Sequence, residues 1–127
     1  DVSWPRRIRA LKERPLVTKT STMALRVSRD GRRVQVGSER FDFSRRGPLR
    51  RVLVALVEAR LRSAGQALSA GDVQEAGWPG EKMFAESAAA RVYMAIRRLR
   101  ELGLGPALRT VDAGYLLDAN VDVAWLE

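Results

Sequence analysis

The sequence has 127 residues, of which 46% are hydrophobic and 30% charged, so it is long and apolar enough for one domain with a single core. It contains no cysteine and no histidine, which excludes disulfide frameworks, thiolate zinc sites and imidazole bases. Its 23 basic and 15 acidic residues give a net charge of +8, which favours an anionic partner such as nucleic acid.

Basic residues are concentrated in the first half of the chain. Residues 1–62 contain 17 lysines and arginines against 6 acidic residues, whereas residues 63–127 contain 6 against 9. Residues 1–22 combine several of these cations with prolines and a polar run, and they show no sustained period. We interpret residues 1–22 as a basic arm or linker, which either joins a neighbouring domain or contacts DNA, and residues 23–127 as the folded domain.

Strict alternation of apolar and polar residues begins at Leu25. Two turn pairs, Asp30-Gly31 and Gly37-Ser38, divide the alternating stretch into three short runs. We therefore predict short antiparallel strands whose core-facing residues are Leu25, Val27, Val34, Val36, Phe41 and Phe43. The remaining positions are predicted to lie on a solvated face: Arg26, Arg33, Gln35, Arg40 and Asp42.

Two helices are predicted next. The first begins at Pro48, because proline suits the first turn of a helix, and ends before Gly65. Its apolar residues recur at helical spacing: Leu49, Val52, Leu53, Leu56, Val57 and Leu61. The second helix is short and runs from a capping box at Ser69 and Asp72 towards Ala76.

A third helix is predicted after a loop made by Trp78-Pro79-Gly80. We expect Trp78 to lie in the core rather than in a contact surface. Ser87 is predicted to cap this helix, and its buried stripe contains Val92, Ile96, Leu99 and Leu102. The opposite stripe contains Ser87, Arg91, Met94 and Arg98, with Arg97 and Arg100 on one flank.

The last predicted element is a β-hairpin that closes the domain. Leu108–Val111 and Tyr115–Leu117 supply its strands, and Asp112-Ala113-Gly114 supplies a tight turn. A sheet, three helices and a hairpin form the order of parts in a winged helix, in which the second and third helices make a helix-turn-helix and the hairpin is the wing.

One stretch of sequence resembles a known family. The run Ile96-Arg97-Arg98-Leu99-Arg100-Glu101-Leu102, followed by Arg109-Thr110-Val111 and Gly114-Tyr115, resembles the end of the DNA-binding domain of OmpR/PhoB-type response regulators. The resemblance covers about residues 24–118. It implies an α+β fold: a winged helix-turn-helix with an N-terminal antiparallel β-sheet, three helices and a C-terminal β-hairpin wing.

The resemblance also implies functional roles. The third helix, Ser87–Leu102, would lie in the major groove of double-stranded DNA, the wing, Thr110–Gly114, would touch the minor groove, and the loop Trp78–Glu86 would meet RNA polymerase. The chain starts at Asp1 without an initiator methionine, so we expect either a processed product or part of a longer protein, in which a receiver or other sensory domain would lie outside this sequence. The wing departs from the family, because its turn is short and carries Asp112. DNA phosphates would repel the carboxylate of this residue.

Candidate DNA contacts follow from the chemistry of these side chains. An arginine can donate two hydrogen bonds to guanine O6 and N7, which makes Arg91 and Arg98 candidates for reading bases. Met94 and Ala95 are candidates for apolar contact with a thymine methyl group. The candidates for phosphate contact are Lys82, Ser87, Arg97, Arg100, Arg109 and Thr110.

Two alternatives stay open. The arginines could cover a solvated helix face, with Arg97 paired to Glu101, or the domain could be a winged-helix protein-interaction module, since a fold does not fix a function. We expect no enzyme, cofactor or metal site, because the sequence has no phosphate-binding glycine loop and no metal-ligand spacing. No apolar run approaches the ~20 residues that span a bilayer, so we expect a cytoplasmic protein that binds no membrane.

Overall fold

The computed structural model describes residues 23–82 and 84–126, so the predicted basic arm at residues 1–22 lies outside the described residues. The described residues form a mixed α+β fold with three α-helices and two β-sheets. In chain order the elements are β1 (Ala24–Ser28), β2 (Arg33–Val36), β3 (Glu39–Asp42), α1 (Gly47–Arg62), α2 (Ala70–Gly77), α3 (Ala85–Leu99), β4 (Leu108–Val111), β5 (Gly114–Leu117) and β6 (Asp122–Leu126). No helix within the described ranges is long and apolar enough to cross a membrane.

The larger sheet has the strand order β3-β2-β1-β6. β1 pairs antiparallel with β2, and β2 with β3, as the alternation predicted. β6 lies on the other side of β1 and runs parallel to it, so that Leu25 lies between Val36 and Val123. The sheet is therefore mixed and a further strand, β6, follows the hairpin, which corrects the prediction of an antiparallel sheet and a closing hairpin. A parallel pair requires a long crossover connection, and no local turn signal marks its second strand.

The turn between β1 and β2 is held by Asp30. Its carboxylate accepts hydrogen bonds from the backbone N–H of Arg32 at 3.0 Å and from the Ser28 hydroxyl at 2.7 Å. These bonds, the one from Arg32 first, hold the pKa of Asp30 below its ordinary value because they favour the charged carboxylate. The turn predicted from Asp30-Gly31 is confirmed, and hydrogen bonds between residues within a few positions of each other stabilise it.

Helix α1 lies at the centre of the hydrophobic core. It contacts α2, α3, β5 and β6. Its buried residues follow the predicted apolar stripe: Val52, Leu53, Leu56, Val57 and Ala59. Burial of each large aliphatic side chain contributes about 1.5–3 kcal/mol, so this stripe is a major source of stability. Leu61, which was predicted to belong to the stripe, lies in the last turn of α1 and is 42% exposed.

Helix α2 begins as predicted. The Ser69 hydroxyl accepts from the backbone N–H of Asp72, and the Asp72 carboxylate accepts from the backbone N–H of Ser69, each at 3.1 Å. This reciprocal capping box satisfies two free donors of the first turn, a contribution of about 1 kcal/mol. The start of α2 could therefore be read from two residues alone.

Helix α3 begins earlier than predicted. Its N-cap is Phe84, which makes no capping side-chain bond, whereas Ser87 lies inside the first turn and does not cap the helix. The predicted stripe of Val92, Ile96 and Leu99 is buried. The helix ends at Leu99 and passes into an irregular π-helical turn, Arg100–Leu104, in which Leu102 is half-buried and no longer helical.

The predicted hairpin is confirmed as β4 and β5, with Thr110 opposite Tyr115. Tyr115 also pairs with Leu68, in the segment between α1 and α2, through reciprocal backbone hydrogen bonds of 2.7 and 2.8 Å. The hairpin is thereby fixed to the segment that leads into α2. Gly114 makes this approach possible, since its φ is +139° and a Cβ at that position would overlap the Leu68 carbonyl.

We predict that Gly114→Ala lowers the free energy of unfolding by about 3 kcal/mol or more, because it combines an unfavourable φ with backbone overlap. The matched control is Gly37→Ala, at φ +61° with open space around the added methyl group, which should cost only about 1–2 kcal/mol. Urea unfolding monitored by circular dichroism measures both values. Equal costs for the two variants would contradict the tight contact between the hairpin and Leu68.

Candidate nucleic-acid interface

Helix α3 presents a solvent-exposed face of mixed chemistry. The helix has 15 residues, which at 1.5 Å per residue gives a length of about 22 Å. Val92, Ile96 and Leu99 turn towards the core, and this orientation leaves the opposite side open. The exposed side chains on that side include Ser87, Ala90, Arg91, Met94, Arg97 and Arg98. The structure therefore brings three predicted arginines and Met94 onto one accessible surface.

Ala95 does not belong to this surface. It is 5% exposed and shares the core-facing side of α3 with Val92 and Leu99, three residues before it and four after it. The prediction that Ala95 contacts a thymine methyl group is corrected, because a buried methyl group cannot reach a base. Met94, its neighbour, is 55% exposed and remains available for apolar contact.

Arg91 is oriented by the loop between α2 and α3. Its Nη1 donates a hydrogen bond to Glu81 Oε1 at 3.1 Å, and its guanidinium carbon lies 5.7 Å from the centre of the Trp78 ring. That ring distance is within the range of a cation–π contact. Trp78, which was expected in the core, is half-buried, and one face of its ring packs against this arginine.

Arg97 and Arg98 share one acidic partner. Arg97 Nε lies 3.4 Å from Glu101 Oε2, and Arg98 Nη1 lies 3.3 Å from Glu101 Oε1. All three side chains are about half exposed, so each pair contributes only a few tenths of a kcal/mol. The predicted pairing of Arg97 with Glu101 is present, and a phosphate could replace the carboxylate at little cost.

Arg100 is half-buried and forms hydrogen bonds with other residues of the protein. Its guanidinium donates to the Leu108 carbonyl from Nε at 3.3 Å and from Nη2 at 3.1 Å. Nη2 also donates to the Thr110 hydroxyl at 2.8 Å. Arg100 and Thr110, both predicted to contact phosphate, thus bind each other and tie the end of α3 to β4. The first role of this pair is to position the hairpin.

The remaining predicted contacts lie outside α3, Lys82 in the loop before it and Arg109 in β4. Lys82 and Arg109 are exposed, and Arg109 Nη1 lies 3.9 Å from Asp118 Oδ2. Asp112 is exposed in the turn of the hairpin. The hairpin therefore presents one loosely paired arginine near its base and a carboxylate at its tip.

Further arginines gather where the β1–β2 turn meets the start of α1. Arg50 donates to the Asp30 carbonyl at 2.9 Å, and the backbone of Phe43 bonds to Arg32 and to Arg46. The exposed or half-buried arginines of this end are Arg29, Arg32, Arg33, Arg45, Arg46 and Arg50. This cluster adds positive charge outside α3.

Sequence reasoning missed two exposed aromatic residues at this surface. Phe84 is 86% exposed and Tyr93 is 59% exposed. Phe84 precedes α3, and Tyr93 lies on the flank of the helix away from Arg91. Phe84 lies eight residues before Val92, and Tyr93 lies three residues before Ile96, so both positions share the three- and four-residue intervals of the buried stripe. Periodicity alone therefore gave no signal of their exposure.

No protein-family model matches the chain, and no curated protein matches it significantly. The case for function therefore rests on the geometry of α3 and of the elements that hold it.

We predict that Arg100→Gln lowers the free energy of unfolding by about 1.5 kcal/mol, because it removes charge-assisted bonds between α3 and β4. Arg98→Gln removes the same charge from an exposed ion pair two residues earlier and should change stability by less than about 0.5 kcal/mol. Chemical denaturation of the two variants beside the wild type measures the difference. A neutral result for Arg100→Gln would show that these bonds do not position the hairpin.

Proposed function

We propose that this protein is a winged-helix domain that binds double-stranded DNA and reads its sequence with α3 in the major groove. The observation that carries the proposal is the exposed face of α3, where Arg91, Met94 and Arg98 lie opposite a buried stripe. An α-helix fits the major groove, and arginine and apolar side chains are suited to guanine edges and thymine methyl groups. A face of this composition combines both kinds of contact.

The arrangement of the neighbouring elements supports the same proposal. α2 and α3 follow each other through a short loop, and the β4–β5 hairpin is attached both to the end of α3 and to Leu68. This order agrees with a helix-turn-helix followed by a wing. The resemblance of residues 96–115 to OmpR/PhoB-type domains points to the same arrangement, and contact of the α2–α3 loop with RNA polymerase stays a prediction.

The proposed contacts divide into two groups. Arg91, Arg98 and Met94 read base edges, whereas phosphate contacts come from side chains around them and fix the register on the duplex. The residues proposed to contact phosphates are Lys82, Ser87, Arg97 and Arg109. The arginine cluster near the start of α1 adds attraction that does not depend on sequence.

A second candidate function is binding of a protein partner through α3. It is favoured by three large apolar side chains that α3 and its N-cap expose: Phe84, Tyr93 and Met94. Exposed apolar groups of this kind mark protein interfaces when they are contiguous. This function predicts affinity for a protein surface without selective binding of any duplex.

We predict that selection from a random duplex pool enriches a motif for the wild type, and that Arg91→Ala and Arg98→Ala each lose preference at one guanine position. Loss of a bidentate contact costs about 1–3 kcal/mol, which corresponds to a reduction in affinity of about 5- to 150-fold. The control is Arg62→Ala, which removes an exposed arginine in the last turn of α1 and should leave the motif unchanged.

Binding at two salt concentrations separates the outcomes. For the wild type, the logarithm of affinity should fall with the logarithm of salt by about 0.9 per phosphate contacted. If no motif is enriched, and both variants bind duplexes as the wild type does, α3 is not a reading helix and protein binding becomes the better proposal. A retained motif with uniformly weaker binding would reassign Arg91 and Arg98 to the phosphates.

A further inference from the structure

Arg91 differs from the other exposed arginines of α3 in what holds it. Within the described residues, Arg97 and Arg98 pair with Glu101, which follows them by four and three positions in the sequence. Arg91 is held by Glu81 and Trp78, ten and thirteen residues earlier, on the loop between α2 and α3. Its two contacts therefore come from a different part of the chain, the loop that precedes α3.

The loop that supplies these contacts is itself braced by hydrogen bonds. The backbone N–H of Trp78 donates to the Gln74 carbonyl at 2.8 Å, and that of Glu81 donates to the Trp78 carbonyl at 3.2 Å. Arg51, on α1, donates to the Gly77 carbonyl from Nε at 3.1 Å and from Nη2 at 2.8 Å. The backbone on which Glu81 and Trp78 stand is thus anchored to both α1 and α2.

This arrangement matters because a free arginine side chain is flexible. Fixing its rotamers on binding costs conformational entropy, and bidentate recognition of guanine tolerates little misalignment. One bond to Glu81 occupies one of five guanidinium donors, and contact with a ring face leaves the edge of the guanidinium free. Arg91 can therefore be held in place and still donate two bonds.

The carboxylate has a second effect. Glu81 cancels the charge of Arg91 and repels phosphate, so the pair adds little to attraction that is independent of sequence. A guanine edge offers neutral acceptors and is penalised less by the neighbouring carboxylate. The charge balance thus favours base contact over phosphate contact at this position.

We propose that Glu81 and Trp78 are positioning residues, which hold Arg91 for a guanine and so determine sequence specificity without touching DNA themselves. The proposal rests on the proposed function of α3. It assigns the loop a role in selectivity, separate from any contact with a protein partner.

The test compares Glu81→Gln with Glu86→Gln, which removes an equal charge from an exposed residue in the first turn of α3. For each protein, affinity is measured for the selected duplex and for the same duplex with the Arg91-dependent guanine pair replaced. Glu81→Gln should reduce the ratio of the two affinities about two- to fivefold, the size expected for a half-exposed ion pair, while leaving or raising affinity for the replaced duplex. Glu86→Gln should leave the ratio unchanged.

Two further variants separate positioning from general damage. The double variant Glu81→Gln/Arg91→Ala should give the same ratio as Arg91→Ala alone, because positioning has no effect once Arg91 is absent. Trp78→Leu should reduce the ratio in the same direction, and Trp78→Phe, which keeps a ring face, should retain most of it. Thermal unfolding is measured for Glu81→Gln and Glu86→Gln. Equal midpoint temperatures for the two variants would show that the change in the affinity ratio does not arise from a loss of folding.

Each other result decides against the proposal. An unchanged ratio with raised affinity for both duplexes would show that Glu81 only masks charge. An effect of Glu81→Gln that persists in the Arg91→Ala background would show that it acts elsewhere. If the wild type prefers no duplex at all, the proposed function fails as well, whereas a wild-type preference that Glu81→Gln leaves intact overturns the positioning role alone.

Discussion

The burial of one side of α3 against the core is the constraint that determines which side chains form the exposed face of the helix. Val92, Ile96 and Leu99 cannot leave the core without exposing apolar surface and opening a cavity, a combined cost of several kcal/mol. A helix held in this way has its rotation fixed, so the directions of Arg91 and Arg98 are set by residues that never meet a ligand. The same constraint places Ala95 inside, one residue away from exposed Met94.

The exposed arginines of α3 are paired with carboxylates. Each exposed arginine of the helix has a carboxylate nearby, Glu81 for Arg91 and Glu101 for Arg97 and Arg98. Arginines without such partners would bind any polyanion, and the affinity for nonspecific duplex would rise with every one added. The excess of positive charge lies instead in the first half of the chain, so the net charge of +8 does not carry the proposal for α3.

Local signals in the sequence predicted the local structure well. The capping box at Ser69, the turn at Asp30 and the stripe of α3 each depend on residues within a few positions of one another, and each is confirmed. The predicted cap at Ser87 was wrong although it too is a local signal, and the sheet partner that was missed depends on a distant pair. The parallel pairing of β6 with β1 joins residues almost a hundred positions apart.

The same distinction applies to the candidate site. Periodicity placed Arg91, Met94 and Arg98 on one face, but it could not show that Trp78 leaves the core to meet Arg91, because that contact depends on the path of a loop. It also could not separate Arg100 from its neighbours, since the helix ends at Leu99 and the next residues follow a different geometry. The family resemblance and the assignment to DNA remain predictions.

The hairpin contributes to the structure by connecting neighbouring elements. It is fixed at one side by Leu68 and at the other by Arg100, so its own backbone is committed to holding the end of α3 and the start of α2 in one arrangement. Its tip carries Asp112, and its exposed arginine, Arg109, lies beside Asp118. A negatively charged tip is poorly suited to a minor groove lined by phosphates. The proposed discrimination between sequences is therefore assigned to α3, and the hairpin contributes the hydrogen bonds that attach it to Arg100 at the end of that helix.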